Sequence, residues 1–462
     1  MFILKTYGIF PDLFILRTLL IIANYCNSIH MIKRDAEALL ERIIATNRSP
    51  KNVILVEGAR QVGKTFLVNR VLEKYPNVIK INLESNKLLR EKIDLTESFE
   101  SFTKLLELET GFTKESIIFF DEAQESEKLG GYIRSMKEIW KNTTCILSGS
   151  SMTRLFRNDT RVPVGRIARL NIHSCNFIEF LRSRKKSVLE ELIFSFPKIR
   201  GIEPVFHNEL LSELDLYLNI GGLPEVINSF NQGEDFQRVR RTIMLDQQED
   251  FLRKSSLTDP NAFQDGLRGV ANYLSSPSKY SHIQRSTTEA KEIFSLLESW
   301  HLVLKIEQHG IVSTSSFNPK RYLYDIGIAQ EIRNSPFPRL SFIKTLNPAL
   351  RTDLGGLLEN LILLQLLSNG TEKISSWRKN NKERVEVDFI LKHEQSIPIE
   401  CKSALSITLR SFQYVRTFLN QSGGKTGFVT SPAPYKVLFE DGKKLINLPL
   451  YLCIPEVIEG LC

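Results

Sequence analysis

The sequence predicts an α/β chain: a mostly parallel sheet with helices on both faces, then a helical stretch, a winged-helix-like stretch and a second α/β unit. Three observations predict it. Between Asp35 and about Leu181, short apolar runs alternate with stretches of helical periodicity. The run NVILVE leads into Gly58-Ala59-Arg60-Gln61-Val62-Gly63-Lys64-Thr65 and from there directly into KTFLVNRVLEK, which is strand, glycine loop, helix. A second apolar run, SIIFF, ends on the adjacent acids Asp121 and Glu122.

The expected strands of the first unit are Val53–Glu57, Val78–Leu83, Ile117–Phe120, Cys145–Ser148 and Arg169–Ile172. Ser183 to Gly201, which contains RSRKK, reads as a basic connector. Helical periodicity dominates from Leu210 to Lys254, with the turn Gly221-Gly222-Leu223-Pro224 in its middle. From Asn261 to Tyr324 the expected order is three helices and a β-hairpin, the third helix over Thr287–His301 and the strands at Val303–Ile306 and Tyr322–Tyr324. The second α/β unit follows from about Leu350. The divisions are thus 1–30, 31–182, 183–260, 261–340 and 341–462.

At 462 residues, with 42% hydrophobic and 25% charged residues and a mean hydropathy of -0.14, the composition excludes collagen-like, mainly disordered and polytopic membrane proteins. Sixty-one Lys and Arg against 53 Asp and Glu give +8, an excess that permits contact with nucleic acid without demonstrating it. The six cysteines are scattered without metal-type spacing, which fits a reduced cytoplasmic compartment better than a disulfide framework. The seven histidines form no HExxH or other ligand cluster, which argues against zinc. Phe14–Ala23 is apolar but interrupted by Arg17 and too short to span a bilayer. Residues 1–30 therefore read as an N-terminal appendage or an over-extended start, and no membrane partner is expected.

The loop from Gly58 to Thr65 fits GxxxxGK[ST] at every specified position, a match that arises by chance about 0.02 times in a chain this long. Its glycines let successive N–H groups converge on phosphates at a helix N-terminus, and Phe66 continues that helix. Lys64 would bridge the β- and γ-phosphates of ATP, and the Thr65 hydroxyl would ligate Mg²⁺. Asp121 would hold the metal on the other side, and Glu122 would orient and polarise the attacking water. Both carboxylates at the end of an apolar strand are costly without a cation, which argues for a site. Ser148, ending the run CILS, would sense the γ-phosphate or position the water. Arg154, Arg157, Arg161, Arg166 and Arg169 follow. Arg166, in the turn Val-Gly-Arg, is the choice for a residue reaching the γ-phosphate of a neighbouring subunit.

GARQVGKT, IIFFDEAQ, ILSGSS, the VGR turn, NFIEFL and GGLPEVI together resemble the AAA+-type ATPases of bacteria and archaea that carry an appended C-terminal domain. The resemblance runs from about Ile32 to the end of the chain. It implies an ATPase core of the AAA+ type, a helical segment, a winged-helix-like piece and a restriction-endonuclease-like terminal domain.

In that terminal unit, VEVDFIL and SIPIECK read as partner strands. Their hairpin would bring Asp388 to Glu400 and Lys402, which share one face because strand side chains repeat every two residues. Glu359, the acid of the apolar helix GLLENLILLQ, could point at the same spot. Glu, Asp and ExK in this order resemble the PD-(D/E)xK nuclease core, although Val387 replaces its proline. Such a core uses the acids to bind Mg²⁺. Three functions are therefore expected. The first is an Mg²⁺-dependent ATPase acting on DNA or RNA. The second is a nucleotide-gated switch with little turnover that captures a protein partner in its ATP state; a homo-oligomer is the other expected protein contact. The third is a metal-dependent DNA nuclease regulated by ATP.

Overall fold

The computed structural model describes residues 32–151, 155, 165–255, 257, 259–310, 317–334, 339–340, 343, 348–368, 370, 374–380, 385–392 and 395–462. Residues 1–30, Arg154, Arg157 and Arg161 lie outside them.

The first unit runs α1 (Asp35–Thr46), β1 (Val53–Glu57), α2 (Lys64–Leu72), β2 (Val78–Asn82), α3 (Lys87–Asp94), α4 (Phe99–Thr110), β3 (Ile117–Asp121), α5 (Leu129–Ile139), β4 (Thr144–Gly149), β5 (Ile167–Asn171) and α6 (Phe177–Ser183). Its five strands are parallel in the order β2-β3-β4-β1-β5. Period-two alternation sends each strand's apolar residues to opposite faces. Ile54, Val56, Phe119 and Ile146 join one core, while Val53, Leu55, Ile118, Phe120, Cys145 and Leu147 join the other. With both faces covered, the central strands β1, β3 and β4 read as continuous apolar runs, whereas the edge strands β2 and β5 carry the exposed Lys80 and Arg169 among fewer buried residues.

A helical stretch follows: α7 (Ser187–Ile199), α8 (Pro204–Ile220), α9 (Pro224–Asn231) and α10 (Phe236–Lys254). The expected connector at 183–201 is corrected here. Leu189, Ile193 and Phe196 are buried at helical spacing, so the basic residues ahead of them precede a helix. Next come α11 (Ala262–Ala271), α12 (Thr287–Ser299), β6 (Val303–Ile306), β7 (Gln308–His309), β8 (Lys320–Leu323) and α13 (Ile326–Arg333). Three helices were expected ahead of the hairpin. Between α11 and α12 the structure has only a single 3₁₀ turn at Tyr280–His282, because the segment SSPSKYSH offers no apolar stripe to bury. β6 and β8 pair antiparallel as expected.

The last unit contains α14 (Pro348–Leu367), β9 (Ile374–Arg378), β10 (Glu386–Lys392), β11 (Ser396–Cys401), α15 (Gln413–Ser422), β12 (Thr426–Ser431), β13 (Lys436–Glu440), β14 (Lys443–Pro449) and α16 (Pro455–Glu459). Its seven-stranded mixed sheet runs β13-β14-β12-β11-β10-β9-β7. Strand β7 thus crosses the expected boundary at 340 to form an edge of this sheet. One apolar core extends from the first sheet through the helices to Phe389, Leu391, Ile399 and Phe428 of the last one, and Trp377, Val387 and Ile390 face a separate cluster behind it.

Candidate functional site

The nucleotide loop hangs from the C-terminal end of β1. Gly58 adopts a φ of +152°, and a Cβ there would sit 2.1 Å from the carbonyl oxygen of Ile172. Only glycine permits that approach. Gly63, at φ +90°, turns the chain into α2. The loop's conformation is held from outside by a buried arginine the sequence reading did not single out. Arg34 Nη1 donates to the Val62 carbonyl (2.8 Å), Nη2 to the His173 carbonyl (2.7 Å) and Nε to Glu179 (2.9 Å). One guanidinium thereby ties the loop to the chain beyond β5 and to α6.

Lys64, buried, donates its ammonium to the carbonyls of Gly58 (3.0 Å) and Ala59 (2.7 Å), folded back along the loop. Burial pulls its pKa down to about 8, against the opposing pull of Glu122 and Asp121. Thr65, exposed, donates its hydroxyl to Asp121 at 2.9 Å. Asp121 also accepts from Asn82 Nδ2 (3.0 Å) and from the Ser148 hydroxyl. Strand order explains this convergence, because β4 lies between β1 and β3 and puts Ser148 between the loop and the acids. Here Ser148 orients the carboxylate. Glu122 stands in the left-handed region at φ 52° and accepts from Gln124 Nε2 at 2.5 Å.

Arg60 pairs with Asp250 of α10 and, at 3.4 Å, with Glu84, and its carbonyl accepts from Gln247 at 3.2 Å. Gln247 in turn accepts from the Tyr324 hydroxyl (2.7 Å), so the loop is braced by the helical segment and the chain following β8. Arg166 lies elsewhere. Its carbonyl bonds to the Val53 N–H at the start of β1, opposite to the loop, and its guanidinium reaches Glu138 at 3.2 Å. It does not meet Lys64 or Glu122 within one chain.

Beside the loop lies a cavity of about 500 Å³ lined by Ile32, Gln61, Gly63, Phe66, Pro224 and Asn228, among others. Gln61 Oε1, Asn228 Oδ1 and Ser229 Oγ are buried around it without hydrogen-bond partners. Orphaned acceptors on an apolar pocket beside a phosphate loop fit a nucleotide base and sugar. Asn228 and Ser229 were not predicted; only the GGLP turn ahead of them carried a sequence signal. The hydroxyl of Thr65 facing Asp121 is also a suitable hard-oxygen donor pair for Mg²⁺.

The four predicted C-terminal residues also come together, at a cavity of about 740 Å³ lined by Glu359, Asp388, Glu400 and Lys402. The antiparallel β10–β11 register, which pairs Phe389 with Ile399, puts Asp388 opposite Glu400. Lys402 bonds to Glu400 at 2.6 Å, and the Cys401 N–H to Asp388 at 2.9 Å. Burial, and after it the charge of Asp388, pushes Glu359 and Glu400 up to about 8. A fifth group, Lys320 of β8, was missed because a lysine in a short strand of another segment has no motif to mark it.

Residues 50–181 match a family described as an AAA domain. Residues 211–337 and 354–451 match two domains of unknown function, DUF8612 and DUF4143. No curated protein matches the chain. Among solved structures, similarity is found to the Orc1 protein of Aeropyrum pernix in complex with DNA at 14% identity and TM-score 0.29, over 66% of this chain and 94% of that one. Cdc6p from Pyrobaculum aerophilum gives 13%, 0.26, 67% and 97%, and the RuvB Holliday junction branch migration motor of Thermotoga maritima 12%, 0.30, 60% and 93%. Among the described residues, no helix is long and apolar enough to cross a membrane. The first unit of this chain thus has the parallel five-stranded sheet and glycine loop of a P-loop NTPase fold, and residues 50–181 are similar to the AAA domain.

Proposed function

We propose that this chain binds ATP with Mg²⁺ and hydrolyses it, and that the cycle repositions the C-terminal segments on nucleic acid. The observation that carries the reading is the convergence of Lys64, Thr65, Asp121, Glu122 and Ser148, from three adjacent strand ends, on one glycine loop. The backbone N–H groups of the loop hold the phosphates, and Lys64 swings from its two carbonyls to the β- and γ-oxygens. Thr65 and Asp121 would hold Mg²⁺, which would neutralise phosphate charge. Glu122 positions the water, and the cavity at Phe66 and Asn228 takes the base. Arg166 serves a neighbouring protomer, since its own loop is at the other end of the sheet. The excess of 8 positive charges and the helix-then-hairpin order of residues 261–324 favour nucleic acid as the object.

Steady-state turnover across protein concentration, with and without single- and double-stranded DNA, tests this. Lys64→Ala should abolish ATP binding, and Glu122→Gln should keep binding but stop turnover. Full activity in both variants would refute the assignment. A second reading, a nucleotide-gated switch with little turnover, is favoured by the Gln124–Glu122 hydrogen bond that occupies the proposed base. It predicts turnover that neither DNA nor Glu122→Gln alters.

A further inference from the structure

A nuclease of the expected kind needs a divalent cation held jointly by Glu359, Asp388 and Glu400. Mg²⁺ and Mn²⁺ demand several free oxygens at once in near-octahedral array. At least one oxygen of each of the three acids is already engaged. The ammonium of Lys320, with its side chain 0% exposed, lies 2.9 Å from Asp388 Oδ1, 3.4 Å from Glu359 Oε2 and 3.3 Å from Glu386 Oε1. Asp388 Oδ2 accepts the Cys401 N–H, Glu359 Oε2 also accepts the Tyr322 hydroxyl at 3.0 Å, and Glu400 Oε1 accepts from Lys402. Glu400 Oε2 remains buried without a partner. Among the described residues, no group of three or more His, Cys, Asp or Glu is arranged to hold a metal ion.

The lysine and the acids come from different parts of the chain. Lys320 sits on β8, within the segment 211–337, whereas Glu359, Asp388 and Glu400 belong to the segment 354–451. Tyr322 on the same strand reinforces the contact, and Asn360, next to Glu359, both accepts from the Leu323 N–H (2.8 Å) and donates to the Leu323 carbonyl (2.9 Å). Strand β8 is thus bonded to α14 along its length.

We propose that the Lys320 ammonium is the resident cation of the C-terminal carboxylate cluster. It takes the place a divalent metal would occupy and locks β8 onto the terminal sheet. A buried ammonium among three carboxylates is held by direct charge-assisted hydrogen bonds. Removing it leaves those largely buried acids uncompensated, and an added cation then becomes favourable. The assignment is independent of the nucleotide site, because it concerns the chain without ATP.

Mn²⁺ binding to the nucleotide-free full chain, read by electron paramagnetic resonance, tests it. Wild type should take up no Mn²⁺ at the terminal cluster at millimolar concentration, so Asp388→Asn should leave its Mn²⁺ stoichiometry unchanged. Lys320→Met should gain one Mn²⁺ per chain, together with a rise in melting temperature on adding the metal, and both gains should vanish in Lys320→Met/Asp388→Asn. Stoichiometric uptake by wild type that Asp388→Asn removes would overturn the proposal, as would a folded Lys320→Met chain that takes up no metal. Should Lys320→Met fail to fold, the comparison of wild type with Asp388→Asn decides by itself.

Discussion

Replacing Arg34 by Met keeps the side chain's length and removes its guanidinium. Arg34 is 6% exposed and Glu179 3%, so the pair is buried, and losing one partner of such a pair costs about 3–5 kcal/mol. Glu179 retains the backbone N–H groups of Asp35 (2.8 Å) and Asn176 (3.0 Å), which places this contribution near the lower end. The carbonyls of Val62 and His173 lose their donor as well, adding about 1 kcal/mol each. The expected loss is therefore about 5 kcal/mol, a large share of the roughly 5–15 kcal/mol that stabilises a typical domain. Because Val62 belongs to the phosphate loop, ATP affinity should fall at least tenfold, about 1.4 kcal/mol, in whatever fraction remains folded. Arg34→Lys should recover part of the stability but little of the affinity, since an ammonium cannot span three acceptors in a planar fork. Urea denaturation together with titration of a fluorescent ATP analogue measures both. A variant that unfolds within about 0.5 kcal/mol of wild type, or that binds the analogue equally well, would refute the role of Arg34 as the brace of the loop.

Other perturbations separate loop geometry, titration and strand locking. Gly58→Ala should abolish nucleotide binding while leaving the helical content of the chain near normal, because its methyl group collides with the Ile172 carbonyl; equilibrium dialysis with ATP reads this, and unimpaired binding would contradict the close approach. Burial lowers the pKa of His301 from its ordinary 6.5 to about 4, so its neutral form stabilises the fold above pH 6.5 and that stabilisation is lost as pH falls towards 4. Over that window the loss amounts to at most about 3 kcal/mol, and His301→Gln should flatten the corresponding acid limb in denaturation curves collected from pH 7 to 4.5. An unchanged limb would show that His301 does not titrate there. Asn360→Leu strips β8 of both edge hydrogen bonds at Leu323 and should cost about 2–4 kcal/mol in thermal or urea unfolding, whereas a neutral effect would mean that the strand edge finds other partners.

The phosphate loop, the acidic strand end and the ExK strand were legible because each depends on spacing along a single element. GxxxxGK[ST] dictates which residues must accept positive φ, and period two puts Glu400 and Lys402 on one face of β11. The boundaries of the central strands β1, β3 and β4 lie within a residue of the expected ones because both faces there are covered, so burial is written into consecutive side chains. Helix α7 is hidden in the sequence because charge outweighs its three-position apolar stripe, and the helix expected between α11 and α12 is absent because SSPSKYSH has no such stripe.

What the sequence determined by itself was the identity of the nucleotide-loop fold and the list of acids in the tail. The tertiary structure alone decided what those groups touch. Arg34 reaches Glu179 across 145 residues, Lys320 reaches Asp388 across 68, and the orphaned acceptors of Asn228 and Ser229 face a loop more than 160 positions earlier. Local spacing constrains backbone shape and side-chain direction, whereas the partner of a buried charge is chosen by how separate elements close on one another. No periodicity records that choice.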